Sequence, residues 1–211
     1  GYQVEYPDNW LDYGFPWEKA KPGKAVTVNF GGQVIRHFDE YGKMHFDYID
    51  STRVKAIPYD VPVVGYGGRD VNLLHLWDAQ PEFETIDIAA FNAGDYDRAM
   101  KEKSEVEAIS SILYPDDSNG LGRRLRLRQE YFLVAAGVGM ICNDYRSKYG
   151  SNEWHLFPER ISIHINDTHP TLCIPELMRI LLDEEYLEWD EAWNIVKATI
   201  SFTNHTVLPE A

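Results

Sequence analysis

The 211-residue chain has little cysteine, little positive charge and no long apolar run. Its two cysteines, Cys142 and Cys173, are too few for a disulfide scaffold and predict a reduced, cytosolic setting. Lysine and arginine total 20 against 34 aspartates and glutamates, which gives a net charge of −14. This balance disfavours nucleic acid and anionic membranes as main partners. The apolar run at residues 131–142 contains two glycines and is too short to span a membrane.

Hydrophobic residues make up 44% of the chain, enough for a packed core, and we predict one partial domain over residues 1–211. Residues 1–24 are rich in aromatics and proline without a period, which predicts an ordered loop. Residues 25–80 alternate between short β-branched or aromatic runs and glycine turns, which is typical of an antiparallel meander. Two prolines within residues 58–62 predict a loop inside that region. Residues 87–211 combine helical patterns with apolar strands and predict an α/β region.

The strongest candidate site lies at the ends of two predicted strands. Asn166, Asp167 and His169 directly follow the strand at residues 161–165, and His205 follows the strand at residues 200–204. Open α/β sheets bind ligands at the carboxyl ends of their strands, where such groups can contact a sugar or a phosphate. The residues alone leave simpler interpretations open. Asp167 could cap the next helix, and His169 and His205 could be structural histidines.

A second candidate is the polar stretch at residues 115–120, which contains Asp117 and Ser118. Its composition alone favours an exposed turn. The four arginines that follow could bind phosphate, although a solvated, salt-bridged helix start is the favoured interpretation. A metal site formed by Asp167, His169 and His205 is possible by ligand type, but no compact histidine or cysteine pair supports it.

The chain resembles the α-glucan phosphorylases, which comprise the glycogen, starch and maltodextrin phosphorylases. The shared strings are collinear and cover essentially the whole chain. They include Asn9-Trp10-Leu11, Pro16-Trp17-Glu18, Pro58-Tyr59-Asp60, Leu113-Tyr114-Pro115, Asn166-Asp167-Thr168-His169-Pro170, Ile174-Pro175-Glu176-Leu177 and Thr203-Asn204-His205-Thr206. One string would be a weak match, but this many in order is specific.

The resemblance implies part of the amino-terminal domain of a two-domain glycosyltransferase. That domain would be an open, mostly parallel, helix-covered sheet, like that of glycosyltransferase-B enzymes, with an antiparallel β-meander. The enzyme would cleave terminal α-1,4 glucosyl bonds with inorganic phosphate to give glucose 1-phosphate with retention. It would be a cytoplasmic homodimer that carries pyridoxal phosphate on a lysine outside this chain, in the carboxyl-terminal domain. The isolated chain is therefore expected to be inactive.

The resemblance also implies roles for five residues. His205 would hydrogen-bond the glucosyl unit and present its main-chain carbonyl to the reacting carbon, and Asp167 and His169 would line the cavity beside it. Asp117 would belong to a mobile gate and occupy the phosphate position in the inactive state. Ser118 would contact the sugar where animal relatives have asparagine, a departure that bears on the contact with the sugar 2-hydroxyl.

Two other functions fit parts of the sequence. A non-catalytic carbohydrate-binding or assembly module would bind saccharide without depending on Asp117 or His205. A metal-assisted hydrolase would use Asp167, His169 and His205 and would lose activity with a chelator. Neither accounts for the collinear match.

Overall fold

The computed structural model describes residues 17–83 and 86–205. Contacts between Cα atoms divide the chain into two compact units. The first consists of Gly1–Phe30 and Thr52–Phe132, and the second of Gly31–Ser51 and Leu133–Ala211. Most of the expected aromatic loop, residues 1–16, and the last shared string, residues 206–211, lie outside the described residues.

Six strands come first along the described residues, and helices with two further strands follow. The strands are β1 (Lys19–Ala20), β2 (Val26–Phe30), β3 (Gln33–Phe38), β4 (Met44–Ile49), β5 (Thr52–Val64), β6 (Val71–Pro81), β7 (Ile163–Asn166) and β8 (Ile200–Thr203). The helices are α1 (Ile88–Asn92), α2 (Tyr96–Ser111), α3 (Gly120–Tyr149), α4 (Phe157–Arg160), α5 (Cys173–Arg179) and α6 (Trp189–Thr199). Short 3-10 turns at Pro22–Lys24, Tyr66–Gly68, Trp154–Leu156 and His169–Leu172 and a π turn at Ile180–Glu184 complete the elements.

The first unit is an antiparallel sheet covered by helix α2. Strand β5 is its long central member and pairs with β1, β2 and β6. Alternate residues such as Val54 and Ala56 are fully buried, as the period of a strand with one covered face requires. Helix α2 packs on β6, and the buried Ser110 hydroxyl accepts a hydrogen bond from the Ala79 amide at 2.9 Å.

The second unit combines an antiparallel hairpin, β3–β4, with a parallel pair, β7–β8. Its core gathers side chains from α3, α4, α5, α6 and β7. On α3, the buried residues Val134, Val138, Cys142 and Tyr145 recur at helical spacing. Ile165, at 2% exposure, anchors β7 in the same core. This packing holds β7 in place, and the candidate site residues follow directly after that strand.

The structure confirms an α/β composition with antiparallel strands, but several local predictions differ. The run at residues 58–62 is not a loop but continues β5, with Pro58 opposite Trp77 and Pro62 opposite Leu73 of β6. The meander order is also wrong, since β2 pairs with β5 and the β3–β4 hairpin is inserted between them. Among the described strands, the parallel arrangement is limited to β7–β8.

Neither cysteine is part of a disulfide. Cys142 and Cys173 are both free and buried in the core of the second unit. No helix in residues 17–83 and 86–205 combines the length and apolar character needed to cross a membrane.

Candidate functional site

The predicted strand edge forms in the second unit. Strands β7 and β8 run parallel with Asn166 opposite Thr203, so both strands end at the same edge. The Asp167 amide continues this pairing by donating to the Thr203 carbonyl at 2.9 Å. Residues that follow the two strands are therefore brought together although they lie far apart in sequence.

His205 meets Asn166 at this edge. The Nε2 atom of His205 is hydrogen-bonded to the Asn166 side-chain oxygen, and both side chains are exposed. A carbonyl oxygen can only accept, so this ring nitrogen carries the proton in the bonded form. The contact orients the imidazole at the strand end and leaves its other face toward solvent.

Asp167 has the most unusual surroundings of the candidate residues. Its φ is +66°, in the left-handed region that aspartate tolerates better than most residues. Its Oδ1 atom is buried and has no hydrogen-bond partner among the described residues. Its Oδ2 atom lies 3.6 Å from Nε2 of His169, which is beyond a normal hydrogen bond. An acceptor is thus held at the edge without a matching donor.

The helix-capping interpretation of Asp167 does not describe this structure. The 3-10 turn His169–Leu172 begins after Thr168 without a side-chain cap, and α5 begins after Leu172 in the same way. Instead, the Thr171 hydroxyl donates to the Thr168 carbonyl at 2.5 Å. The Asp167 carboxylate therefore caps neither of these two elements.

The sequence analysis missed a polar residue on the exposed face of the parallel pair. Nδ1 of His164 lies 2.8 Å from the Ser201 hydroxyl, and its Nε2 lies 2.7 Å from the Thr203 hydroxyl. His164 lies beside the buried Ile165, whereas Ser201 and Thr203 flank the exposed Phe202, so the burial period of two shows only in β7. The strand pairing needed to interpret that signal was not evident from the sequence.

A groove of about 540 Å³ lies beside the parallel pair, within the second unit. Its lining is mainly apolar and includes Ile165, Trp193, Val196 and Phe202. Thr168, directly after Asp167, contributes a polar position to its wall. The strand edge therefore combines hydrogen-bonding groups with an aromatic and aliphatic surface.

Asp117 and Ser118 lie in the first unit, in an exposed loop before α3. The Asp116 carboxylate accepts from the Ser118 amide and hydroxyl, both at 3.0 Å, and these hydrogen bonds lower the pKa of Asp116. The Asp117 carboxylate accepts from the Arg126 guanidinium at 2.7 Å. Tyr114, at the start of the loop, has a positive φ of 56°. Both predicted loop residues are thus tied to neighbours in this conformation.

The arginines at the start of α3 have partners that suit a salt-bridged helix start. Arg126 also lies 3.4 Å from Glu130, one turn further along the helix. The Arg128 guanidinium lies 5.1 Å from the centre of the Phe30 ring. Two of the four arginines, Arg126 and Arg128, are therefore engaged in contacts within the first unit, which suits the favoured interpretation of a salt-bridged helix start.

Comparison with known proteins decides the family. The sequence profile of the carbohydrate phosphorylases matches residues 1–211. The chain belongs to the carbohydrate phosphorylase family. The family predicted from the sequence strings is thereby confirmed.

Similar proteins come from a bacterium and from mammals. The chain is 47% identical over 212 residues to a glycogen phosphorylase of Bacillus subtilis. It is 46% identical over 217 residues to the human brain form of glycogen phosphorylase and 44% identical over 217 residues to the mouse muscle form. Each match covers 100% of this chain and 25% of the relative, so the chain spans about a quarter of their length.

The described residues of this phosphorylase-family chain offer no metal cluster. No group of three or more histidine, cysteine, aspartate or glutamate side chains within residues 17–83 and 86–205 is arranged to hold a metal ion.

Proposed function

We propose that the protein containing this chain is an α-1,4-glucan phosphorylase. It cleaves a terminal glucosyl bond with inorganic phosphate and releases glucose 1-phosphate with retention of configuration. The observation that carries the proposal is the match of all 211 residues to glycogen phosphorylases. The polar edge of β7–β8, where Asn166 and His205 meet, supports it as a place to bind a sugar.

Two residues at the strand edge act on the glucosyl unit. The His205 side chain donates or accepts a hydrogen bond with a sugar hydroxyl, and Asn166 orients its ring. The main-chain carbonyl of His205 faces the reacting carbon. A fixed carbonyl dipole stabilises the positive charge that develops there as the glycosidic bond breaks.

Neighbouring side chains complete the sugar-binding surface. The unpartnered Oδ1 of Asp167 accepts a hydrogen bond from a sugar hydroxyl or an ordered water molecule, and His169 lines the same cavity. In the first unit, Ser118 is the loop residue that contacts the sugar, and Asp117 is the acid that competes with phosphate. Departure of Asp117 admits the phosphate anion, since two negative charges repel each other in one site.

Pyridoxal phosphate is the cofactor of the complete enzyme in this proposal. When bound, it supplies a phosphate group that exchanges a proton with the substrate phosphate. In this proposal the lysine that holds the cofactor lies outside residues 1–211, in the longer protein. The isolated chain is accordingly inactive, and addition of the complementary domain and cofactor restores phosphorolysis.

The surrounding architecture follows from the same proposal. Residues 1–211 are part of one amino-terminal domain, and the parallel pair β7–β8 belongs to a larger, open, mostly parallel sheet covered by helices. The complete enzyme is a cytoplasmic homodimer. The free, buried thiols Cys142 and Cys173 suit a reducing compartment.

The test is phosphate-dependent release of glucose 1-phosphate from an α-1,4-glucan by the intact protein. We expect His205→Ala to lower kcat/KM at least tenfold, equivalent to about 1.4 kcal/mol. His155→Ala, which alters an exposed histidine in the same unit, should leave kcat/KM within about twofold. Release of free glucose without phosphate would contradict the proposal. Saccharide binding without turnover, unaffected by His205→Ala, would instead favour a binding module.

A further inference from the structure

One face of the parallel pair β7–β8 is polar. Residues two apart on a strand share a face, so His164 and Asn166 of β7 lie on the same side. Their register partners in β8, Ser201 and Thr203, lie beside them on that face, and all four residues are exposed. Ile165, between the two polar residues of β7, is buried in the core on the opposite face. The polar face leads directly to the edge where the candidate sugar site lies.

His164 bridges the two hydroxyl groups of β8. Its Nδ1 atom lies 2.8 Å from Oγ of Ser201, and its Nε2 atom lies 2.7 Å from Oγ1 of Thr203. A neutral imidazole has one donor and one acceptor nitrogen, and a hydroxyl can donate or accept, so both hydrogen bonds form at once. Because both ring nitrogens are engaged, the ring keeps no polar atom with which to bind a sugar. Any contribution of His164 to the edge is therefore made through β8.

Thr203 is the residue of β8 that connects the candidate site residues. Its carbonyl accepts from the Asp167 amide at 2.9 Å, and its register partner is Asn166. The Asn166 side chain in turn holds the imidazole of His205, which follows Thr203 by two residues. A displacement of Thr203 would consequently move Asp167 and His205 relative to each other.

The backbone pairing that holds Thr203 is short. Strands β7 and β8 are each four residues long, and Thr203 is the last residue of β8. Two-stranded pairs are marginal in water, and the ends of elements open most easily. The side chain of His164 reaches from the second residue of β7 to the last residue of β8. Its hydrogen bond opposes opening at the point where the pairing is weakest.

We propose that His164 is a positioning residue for the sugar site at this edge. By bridging Ser201 and Thr203, it holds the end of β8 in register with β7, so that Asp167 and His205 are presented to the same glucosyl unit. This inference rests on the proposed phosphorolysis and adds to it a residue that acts without touching the substrate. Loss of the bridge leaves the core intact, because His164 is exposed and the core lies on the opposite face.

The first measurement is hydrogen exchange of the Asp167 amide in the intact protein. His164→Leu removes both hydrogen bonds of the ring, and we expect exchange to accelerate about three- to tenfold, within the range that the loss of hydrogen bonds supports. Thr203→Val removes the contact from the other strand and keeps a branched side chain, so it should give a similar acceleration. The double variant should exchange no more than about twofold faster than Thr203→Val alone, since both changes break one contact.

His155→Leu is the matched control for the exchange experiment. It makes the same change at an exposed histidine of the second unit that lies outside β7 and β8. Exchange of the Asp167 amide should be the same in this variant as in the unaltered protein.

The second measurement is kcat/KM for an α-1,4-glucan. His164→Leu should lower it about three- to tenfold, while the KM for phosphate stays within about twofold, because the bridge positions the sugar contacts. His164→Gln should bring kcat/KM back to within about twofold of the unaltered protein, since an amide can donate to one hydroxyl and accept from the other. A role in stability alone would not require a side chain with both a donor and an acceptor.

The outcomes separate the inference from the function on which it rests. Unchanged exchange in His164→Leu, or equal acceleration in His155→Leu, would overturn the positioning role, as would a loss of kcat/KM that His164→Gln does not reverse. If His164→Leu fails to fold, Ser201→Ala and Thr203→Val break the same bridge from β8 and decide the matter by the same exchange measurement. Absence of phosphorolysis in the unaltered protein would reject the proposed function, and the exchange comparison would still decide whether His164 holds Thr203.

Discussion

The strand edge of the second unit and the 114–119 loop of the first unit are built in opposite ways. At the edge, the His205–Asn166 hydrogen bond joins residues 39 positions apart. In the loop, the Asp117–Arg126 bond joins residues nine positions apart. One site is fixed by tertiary packing, and the other is held by contacts within a short segment.

This difference predicts different mobility. The edge is anchored by Ile165, which is 2% exposed and packs in the core with Leu177 and Val196. The loop residues from Asp116 to Asn119 are all exposed, and their hydrogen bonds face water. Segments with few buried contacts open at low free-energy cost, whereas core strands open only with their unit. The sugar contact proposed for His205 and the movable acid proposed for Asp117 therefore suit these two locations.

The largest loss of stability should come from removing an aromatic ring from the core of the second unit. Phe157 is 0% exposed, and its ring centre lies 4.8 Å from that of Tyr145. Phe157→Ala should lower the free energy of unfolding by about 3–5 kcal/mol, because it leaves a cavity. Urea unfolding followed by tryptophan fluorescence measures the loss.

The matched control is Phe38→Ala, since Phe38 is in the same unit but 63% exposed. Its effect should stay within about 0.5 kcal/mol. The Asp167 amide should lose exchange protection in Phe157→Ala, while the bonds of the loop, all made within the first unit, are kept. Equal losses from Phe157→Ala and Phe38→Ala would contradict the assignment of the edge to a packed core.

A smaller loss of free energy of unfolding should follow when the 114–119 loop is forced away from the start of α3. Gly122→Ala places a methyl group within 1.6 Å of the Asp116 carbonyl oxygen, so the loop or the helix start must move. We expect a loss of about 1–3 kcal/mol from this crowding, measured by the same unfolding experiment.

Gly120→Ala tests whether the loss arises from contact or from helix propensity. An added Cβ at Gly120 meets nothing within 4 Å, although it lies in the same first turn. This variant should be neutral or slightly stabilising. If Gly120→Ala destabilised the protein as much as Gly122→Ala, the close contact of the 114–119 loop with Gly122 could not be the cause of the loss.

The same division explains how far sequence could predict the structure. The antiparallel strands β2 and β4 lie within residues 25–80, where the sequence predicted such strands, because local alternation determines them. Helix α6 lies within residues 87–211, where helical period was evident. The strand edge was also predicted, since apolar strands ending in polar residues are a local pattern. Family strings added the roles proposed for Asp117 and His205, which no local pattern carries.

What sequence could not predict depends on pairing between distant segments. The continuation of β5 through Pro58 and Pro62 requires β6 as a partner, and β6 is not evident when residues 58–62 are considered alone. The inserted β3–β4 hairpin and the bonds of His164 to Ser201 and Thr203 have the same origin. Asp117 and Arg126 are close in sequence, but their contact requires the backbone of the loop to approach α3 at Gly122.

The smallest expected effect distinguishes the two regions by their response to pH. Burial raises the pKa of the Cys142 thiol from its ordinary value of 9.0 to about 12. In the unfolded chain this thiol ionises near pH 9, whereas in the folded second unit it keeps its proton. The folded state therefore binds more protons above pH 9, and its stability falls as the pH rises from about 9 toward 12. The contribution of this group is at most about 1.4 kcal/mol per pH unit.

The Cys142→Ala variant isolates that contribution, because it removes the thiol from a site that is 0% exposed. Its free energy of unfolding, measured by urea between pH 9 and 10.5, should fall less steeply with pH than that of the unaltered protein. Asp116 in the loop has its pKa lowered by local hydrogen bonds, so its stabilising bonds are lost at acid pH, as the pH falls through that lowered value. Identical alkaline slopes with and without Cys142 would mean that water reaches the second-unit core as readily as it reaches the loop.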